Sequence, residues 1–176
     1  NGWIWILVEK KCIKVDVKME DELLFKLKKE FEQVIGLPQV EDIKEHRINI
    51  TLDPKNLIDV ANFLKHEMGF TIPNMCTGTD YKDKMEVAWH IGNPKYPVLM
   101  VLKVEIDRDN CVVESLTPIW EGMNWHERET YDLLGVKFEN HPDLRRLLLP
   151  ENWEGHPLRE DYVYKRPVYR KPEDFE

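Results

Sequence analysis

The sequence has few of the residues that build metal clusters and disulfide frameworks. Three cysteines occur in 176 residues, at positions 12, 76 and 111, and no C-x-x-C pair is present. Disulfide-rich domains, iron–sulfur clusters and structural zinc sites all depend on closely spaced cysteines. The spacing therefore disfavours all three. At this length a hydrophobic core can form without such links.

Long apolar runs, a basic surplus and phosphate-binding loops are also missing. The longest purely apolar runs, residues 3–8 and 98–102, are far shorter than the roughly 20 residues of a membrane-spanning helix. Lys and Arg number 25 against 33 Asp and Glu, whereas nucleic-acid binders present a basic face. No G-x-G-x-x-G or Walker-type motif occurs. We expect no membrane span, no nucleic-acid partner and no nucleotide site.

Two compositional features bear on location and source. No charged segment followed by a signal-like apolar stretch opens the chain, which predicts a cytoplasmic protein. Lys and Glu are abundant while Gln is scarce, a bias that resembles proteins of thermophiles, although Asn is common.

The hydrophobic pattern predicts an α+β fold. Three- and four-residue spacing of apolar positions predicts a helix over 21–35 and a second one that follows Asp53 and ends at Gly69. Asn124 and Glu127 have capping-box spacing, which predicts a short helix closed by Gly135. Strands are predicted at 3–8, 12–17, 47–52, 70–72, 85–91, 98–106 and 111–116, the last two forming a hairpin. We expect a domain over 1–138 with a mixed sheet and two N-terminal helices on one face.

The remaining residues, 139–176, predict an extended C-terminal tail. Five of the chain's prolines and most of its arginines lie beyond His141. Proline favours extended backbone, and arginine offers a planar fork to carboxylates, so the tail is expected to dock on a partner subunit. We expect its removal to leave the domain folded. Arg145, Arg146 and Arg159 are expected to meet partner groups, or alternatively to pair internally with Asp143, Glu160 or Asp161.

The helix at 124–134 carries the candidate chemistry. His126-Glu127 begins like a zinc-protease helix, but position 130 is Thr, so helix capping by Glu127 is favoured. Glu127, Glu129 and Asp132 could perform acid/base catalysis, although an ion-pair network including Arg128 with Asp132 is favoured. Cys76 is expected to be a buried small side chain rather than a nucleophile, and Gly78 a turn residue. Trp120, Trp125 and Trp153 flank this helix and the tail, and tryptophan with arginine is typical of protein interfaces.

Several segments together resemble one family. ERETYDLL at 127–134 is followed after six residues by HPDLRRLL at 141–148, with CTGTDY at 76–81, Asn124-Trp125, and NWEGHPLRED at 152–161 around them. This pattern resembles the C-type (30 kDa) subunit of NADH-quinone oxidoreductase, respiratory complex I. It covers about the last hundred residues. Glu160 stands where the family more often has Lys, which puts a contact made by that Lys in doubt.

The resemblance implies a subunit with no cofactor of its own. It implies a peripheral place on the cytoplasmic face of the membrane, beside a large catalytic subunit and an iron–sulfur subunit, which attach it to the membrane and hold the clusters. Related energy-converting [NiFe] hydrogenases contain the same subunit type with a hydrogenase-like large subunit, and the short chain favours that branch. The interface expected from these motifs comprises Trp125, Glu127, Arg128, Glu129, Asp132, His141, Asp143, Arg145, Arg146, Trp153, His156, Arg159 and Asp161.

Two alternatives stay open from the residues alone. One is a free-standing acid/base hydrolase that uses Glu127, Glu129 or Asp132. The other is a soluble adaptor outside any redox complex. A hydrolase would be active as a lone monomer, whereas a subunit would copurify with a large particle that contains iron.

Overall fold

The computed structural model describes residues 4–8, 11–15, 39–44, 47–95 and 98–164. It contains two compact units, Asn1–Gln39 and Val40–Glu176. In the first unit, β1 (Ile4–Val8) pairs antiparallel with β2 (Lys11–Val15). Both strands were predicted to within two residues. The helix predicted over 21–35 lies outside the described residues.

The second unit is built on a five-stranded mixed sheet with the order β3-β4-β7-β6-β5. Strands β4 and β7 are parallel, whereas β7 with β6 and β6 with β5 are antiparallel. This arrangement confirms the α+β class and the mixed sheet. The strand bounds are β3 Gln39–Lys44, β4 Arg47–Leu52, β5 Ile72–Asp80, β6 Lys84–Gly92 and β7 Leu99–Asp107.

One face of this sheet is apolar across four strands. The strand register aligns Ile50, Leu102, Trp89 and Cys76 in one row, and all four side chains are buried. Side chains two residues apart share a face, so the alternation along β4, β6 and β7 continues this surface on both sides of the row. The hydrophobic core of the unit therefore includes this face.

Helix α1 spans Leu57–His66 and follows a 3-10 turn at Pro54–Asn56. Asp53 caps the turn, since its carboxylate accepts a hydrogen bond from the Lys55 backbone N–H. The buried residues of the helix, Leu57, Val60, Ala61 and Leu64, follow the predicted spacing. The second predicted helix is confirmed.

The predicted hairpin between strands 98–106 and 111–116 is wrong. Strand β7 lies between β4 and β6, so both of its edges are already paired. The Asp107 side chain accepts hydrogen bonds from the backbone N–H groups of Asp109 and Asn110, each at 2.8 Å, which turns the chain away from the sheet. The next strand, β8 (Val112–Glu114), instead pairs parallel with β9 (Lys137–Glu139).

Strand β5 is longer than predicted. Only its first residue fell in a predicted strand, and Gly78 was expected in a turn. The structure places Gly78 within β5, opposite Val87 of β6. A Cβ atom at Gly78 would lie 2.5 Å from Leu134 Cδ1 and 3.0 Å from Thr130 Cγ2. Gly78 therefore allows close packing of a helix on the strand rather than a turn.

Candidate partner interface

The signature residues 127–134 lie on helix α2, which spans Asn124–Leu134 after a 3-10 turn at Glu121–Met123. The helix and its left-handed end at Gly135 confirm the prediction, but the capping box does not form. Asn124 already has helical dihedrals, and no side chain caps the helix at Met123. Glu127 turns into the core, where its carboxylate meets four hydrogen-bond donors.

The Glu127 carboxylate is completely buried and fully hydrogen-bonded. Its Oε1 accepts from Trp89 Nε1 at 3.0 Å and from the Leu116 backbone N–H at 2.8 Å. Its Oε2 accepts from the hydroxyls of Ser115 and Thr117. A buried carboxylate is stable only when such donors replace water. Glu127 thus ties α2 to strand β6 and to the loop after β8.

Asp132 is a second buried carboxylate, and its donors come from the chain beyond His141. Oδ1 accepts from Arg146 Nη1 at 2.7 Å, and Oδ2 accepts from the consecutive backbone N–H groups of residues 147–149 at 2.7–3.0 Å. Burial acts to raise the pKa of Asp132, but the backbone donors and the Arg146 guanidinium outweigh it and hold this pKa below its usual value. Asp132 is therefore ionised and structural.

The C-terminal segment, defined here as residues 141–164, also caps the end of α2. The last four carbonyls of a helix have no partner within it. Here each of these carbonyls accepts a hydrogen bond, three of them from the C-terminal segment. The positive or polar side chains among these donors also suit the negative end of the helix dipole. The pairs are Tyr131 with Gly135 N, Asp132 with His156 Nδ1, Leu133 with Leu158 N, and Leu134 with Arg159 Nε.

Arg128 binds the same segment rather than its helix neighbour. Its Nε and Nη2 donate to the backbone carbonyls of Arg145 and Arg146, each at 3.2 Å, and Asp143 lies 3.9 Å away. The predicted pair of Arg128 with Asp132 is wrong, because Asp132 is occupied by Arg146.

His141 lies beside the buried carboxylate. Its Nε2 is 3.9 Å from Glu127 Oε2 and hydrogen-bonds to the Asn124 carbonyl, and both side chains are fully buried. The Asp143 backbone N–H donates to His141 Nδ1, which leaves the other ring nitrogen, Nε2, as the donor to the Asn124 carbonyl. His141 therefore fixes the start of the C-terminal segment against α2.

A second anchor holds the far part of the C-terminal segment. Arg108 donates to both Asp80 oxygens at 2.7 and 2.9 Å and lies 2.8 Å from Asp161. The Glu160 backbone N–H also donates to Asp80, and its side chain pairs with Lys82 at 3.7 Å. Hydrogen bonding to Arg108 is the main cause that holds the pKa of Asp80 well below its ordinary value and lowers the pKa of Asp161.

The C-terminal segment is therefore not free of the domain, and the expected role of two arginines is corrected. Arg146 and Arg159 bind groups of α2 inside the subunit, because these buried carboxylate and carbonyl groups need donors. Arg145 pairs with Asp143 at 3.0 Å on the surface, as the internal alternative proposed. These contacts predict that removal of the segment destabilises the domain, contrary to the expectation from its composition.

The hydrolase alternative loses its candidate residues. The carboxylates of Glu127 and Asp132 already accept hydrogen bonds from several donors each. Of the three candidates, only Glu129 is exposed. A groove of about 680 Å³ lies on the C-terminal segment, lined by residues such as Trp153, His156 and Arg159, and none of the three carboxylates faces it. Burial, followed by the charge of Glu127, raises the pKa of the Cys76 thiol well above its usual value, which makes it a poor nucleophile.

Several large apolar side chains are exposed, and they are separate from the buried carboxylates described above. Trp125 is 68% exposed at the start of α2, although tryptophan is normally buried. Within the described part of the chain, the large hydrophobic side chains that are exposed all belong to β5, the turn after it, α2 or the C-terminal segment. They are Ile72, Met75, Tyr81, Trp125, Leu148, Leu158, Val163 and Tyr164. We call these the apolar surface residues.

The structure sorts the residues expected at the interface into two groups. Trp125, Glu129, Asp143, Arg145 and Asp161 are exposed. The others, Glu127, Arg128, Asp132, His141, Arg146, Trp153, His156 and Arg159, are buried or half-buried and mostly hold the C-terminal segment on α2. Ile72 and Met75 are exposed apolar residues that the sequence patterns did not single out, although they lie in an uncharged stretch of the chain. In the described residues, no group of three or more metal-binding side chains converges, and no helix is long and apolar enough to span a membrane.

Comparison with known proteins identifies the family. Residues 50–168 match the family described as respiratory-chain NADH dehydrogenase, 30 Kd subunit. The C-type subunit of NADH-quinone oxidoreductase from Geobacter metallireducens is 35% identical over 134 residues, which cover 73% of this chain and 83% of the relative. The C-type subunit of F(420)H(2) dehydrogenase from Methanosarcina mazei is 38% identical over 119 residues, covering 66% of this chain and 75% of the relative.

A solved structure shares the fold. A chain of the membrane-bound sulfane sulfur reductase, an archaeal respiratory membrane complex, superposes with a TM-score of 0.70 and 20% identity, covering 82% of this chain and 86% of that chain. The family match covers β4 to the C-terminal segment and thus includes both buried carboxylates and their donors. The chain belongs to the 30 kDa subunit family of respiratory-chain NADH dehydrogenase.

Proposed function

We propose that this chain is a non-catalytic peripheral subunit of a membrane-bound respiratory oxidoreductase and braces the subunit that carries the active site. Its relatives are named as C-type subunits of NADH-quinone oxidoreductase and of F(420)H(2) dehydrogenase. The observation that carries the proposal is the position of the apolar surface residues on β5, the turn after it, α2 and the C-terminal segment. Trp125 is the most informative of them, because tryptophan is enriched at protein–protein contacts and among the residues that dominate their binding energy.

The rigid attachment of the C-terminal segment supports a bracing role. Arg146, His156 and Arg159 hold the segment on α2 through side chains, so Leu148 and Leu158 reach solvent from a fixed backbone. A surface that is ordered before binding loses less conformational entropy when a partner docks. The segment thus presents its apolar side chains without first having to fold.

The finer assignment concerns the partners. We propose a large catalytic subunit of the hydrogenase-like type and an iron–sulfur subunit as neighbours, with the cofactors on those chains and none on this one. The complex would be held at the cytoplasmic face of the membrane through the partners. The cysteine spacing and the acidic composition support this assignment, since neither suits a cluster or an anionic surface.

Isolation of a tagged chain from detergent-solubilised membranes tests the proposal. The expected result is one large particle that contains iron, with nickel if the complex is of the hydrogenase type. Trp125→Ala should reduce recovery of the particle, whereas Lys55→Ala, at a site 81% exposed on the turn before α1, should not. Recovery of the chain alone or in a metal-free soluble assembly would favour an adaptor outside redox complexes and contradict the proposal.

A further inference from the structure

Strand β5 is an edge strand with an unusual composition. It has β6 as its hydrogen-bonded neighbour on one side and no strand of the described residues on the other. Residues 72–79 carry no charge, although a third of the chain is charged, and of the nine residues in the strand Cys76 alone is buried. Soluble proteins normally protect such edges with lysine, proline or a bulge. Pro73 and a register shift before Met75 protect only the beginning of β5.

The turn after β5 fixes which backbone groups point away from the sheet. Tyr81 N donates to the Lys84 carbonyl at 2.9 Å, so residues 81 and 84 form a hydrogen-bonded pair. Such pairs alternate with non-bonded ones along an antiparallel ladder. With the unbroken register from Met75 to Asp80, the N–H and C=O groups of residues 75, 77 and 79 face β6. Those of Cys76, Gly78 and Asp80 therefore face outward.

These outward groups have no partner among the described residues. Apart from the pairing of β5 with β6, no hydrogen bond joins the backbone of Cys76, Gly78 or Asp80 to another described residue. The free edge also has defined ends. At one end Gly122 packs on Pro73, where an added Cβ atom would lie 2.7 Å from Pro73 Cγ. At the other, the Glu160 backbone binds the Asp80 carboxylate. Between them residues 74–79 span about 20 Å of open edge.

We infer that the free edge of β5, residues 74–79, receives an extended segment of a partner subunit as a sixth strand of the sheet. The unpaired row of donors and acceptors fits an extended backbone, which supplies the complementary row at the same spacing. Met75, Thr77 and Thr79 share the face opposite α2 and carry no charge, so the partner segment presents apolar or hydroxyl side chains beside them. The inference rests on the proposed function, because the strand comes from another subunit of the complex.

A second copy of this chain fits the edge less well. Antiparallel pairing of two β5 strands would place Pro73 of one copy near Asp80 of the other. Each copy would then bring residues 121–123 to the place that Glu160 of the other copy occupies. A single partner segment of about six residues avoids this collision.

Amide hydrogen exchange at single-residue resolution tests the inference in the intact complex. In the free subunit, the amides of Cys76 and Gly78 should exchange fast and those of Thr77 and Thr79 slowly. In the complex, Cys76 and Gly78 should slow by about tenfold or more, while Thr77 and Thr79 stay slow, because only strand pairing occupies the outward groups. Unchanged fast exchange at Cys76 and Gly78 in an assembled complex would overturn the inference and leave the proposed function intact.

Variants at the edge give a second test that does not depend on exchange. Thr79→Lys and Thr79→Glu both place a charge on the free edge and should weaken assembly by about tenfold. Thr71→Lys changes an exposed threonine just before the strand and should leave assembly unchanged. Equal assembly of all three variants would contradict the added strand. Slowed exchange that depends on the concentration of the isolated subunit would assign the edge to a second copy, and failure to join any complex would overturn the proposed function itself.

Discussion

Replacing Asp132 with Asn should destabilise the subunit by about 3 to 5 kcal/mol, the usual cost of breaking a buried ion pair. The carboxylate accepts one hydrogen bond from Arg146 and three from the backbone of residues 147–149. An amide has one acceptor oxygen and one donor group, so it can serve the three backbone donors only by turning its NH₂ toward the guanidinium. Arg146 then keeps a half-buried charge without its counter-ion.

Urea unfolding followed by circular dichroism measures this loss. Glu129→Gln is the matched control, because Glu129 lies on the same helix and is exposed, and its effect should stay within about 0.5 kcal/mol. If Asp132→Asn costs less than about 1 kcal/mol, the hydrogen bonds to the C-terminal segment do not hold it in place, and the described docking of that segment on α2 is refuted.

Three further predictions follow from the same contacts. Gly78→Ala should cost about 1 to 3 kcal/mol in thermal unfolding, because the new methyl meets Leu134, whereas Gly92→Ala meets nothing closer than 3.5 Å and should be mild. Truncation after residue 140 should lower the melting temperature, because Asp132 and the last carbonyls of α2 lose their donors; an unchanged melt would show that the segment is not part of the fold. Asp80 and Asp132 have lowered pKa values in the folded state, so their stabilisation is present above the ordinary value of 3.8 and is lost as the pH falls below it. Asp80→Asn should flatten the acid-unfolding curve in this range, and an unchanged slope would contradict the assignment.

Local patterns were sufficient for the elements whose causes are local. The spacing in α1, the alternation in β4 and the glycine after α2 each depend on neighbouring residues, and each was predicted correctly. The motifs at 127–134 and 141–148 likewise identified the family.

The misses depend on contacts distant in sequence. The spacing of Glu127 after Asn124 predicted a cap, but its four donors come from residues 89 and 115–117, which the local pattern cannot contain. Strand β8 pairs with β9 instead of β7 because β7 already has a neighbouring strand on each side. Arg145 and Arg146 meet carboxylates and Arg159 meets a backbone carbonyl, but whether Arg146 meets a partner or Asp132 depends on the path of the chain.

Site-specific photo-cross-linking tests most directly whether the apolar surface residues form the partner interface. A benzoyl-phenylalanine residue replaces Trp125 in one variant and Lys55 in the other, and each complex is irradiated after assembly. Trp125 is one of the apolar surface residues, and Lys55 lies on the turn before α1. The account predicts a cross-link from position 125 to the large catalytic subunit and none from position 55. Cross-links to that subunit from position 55 but not from 125 would contradict it.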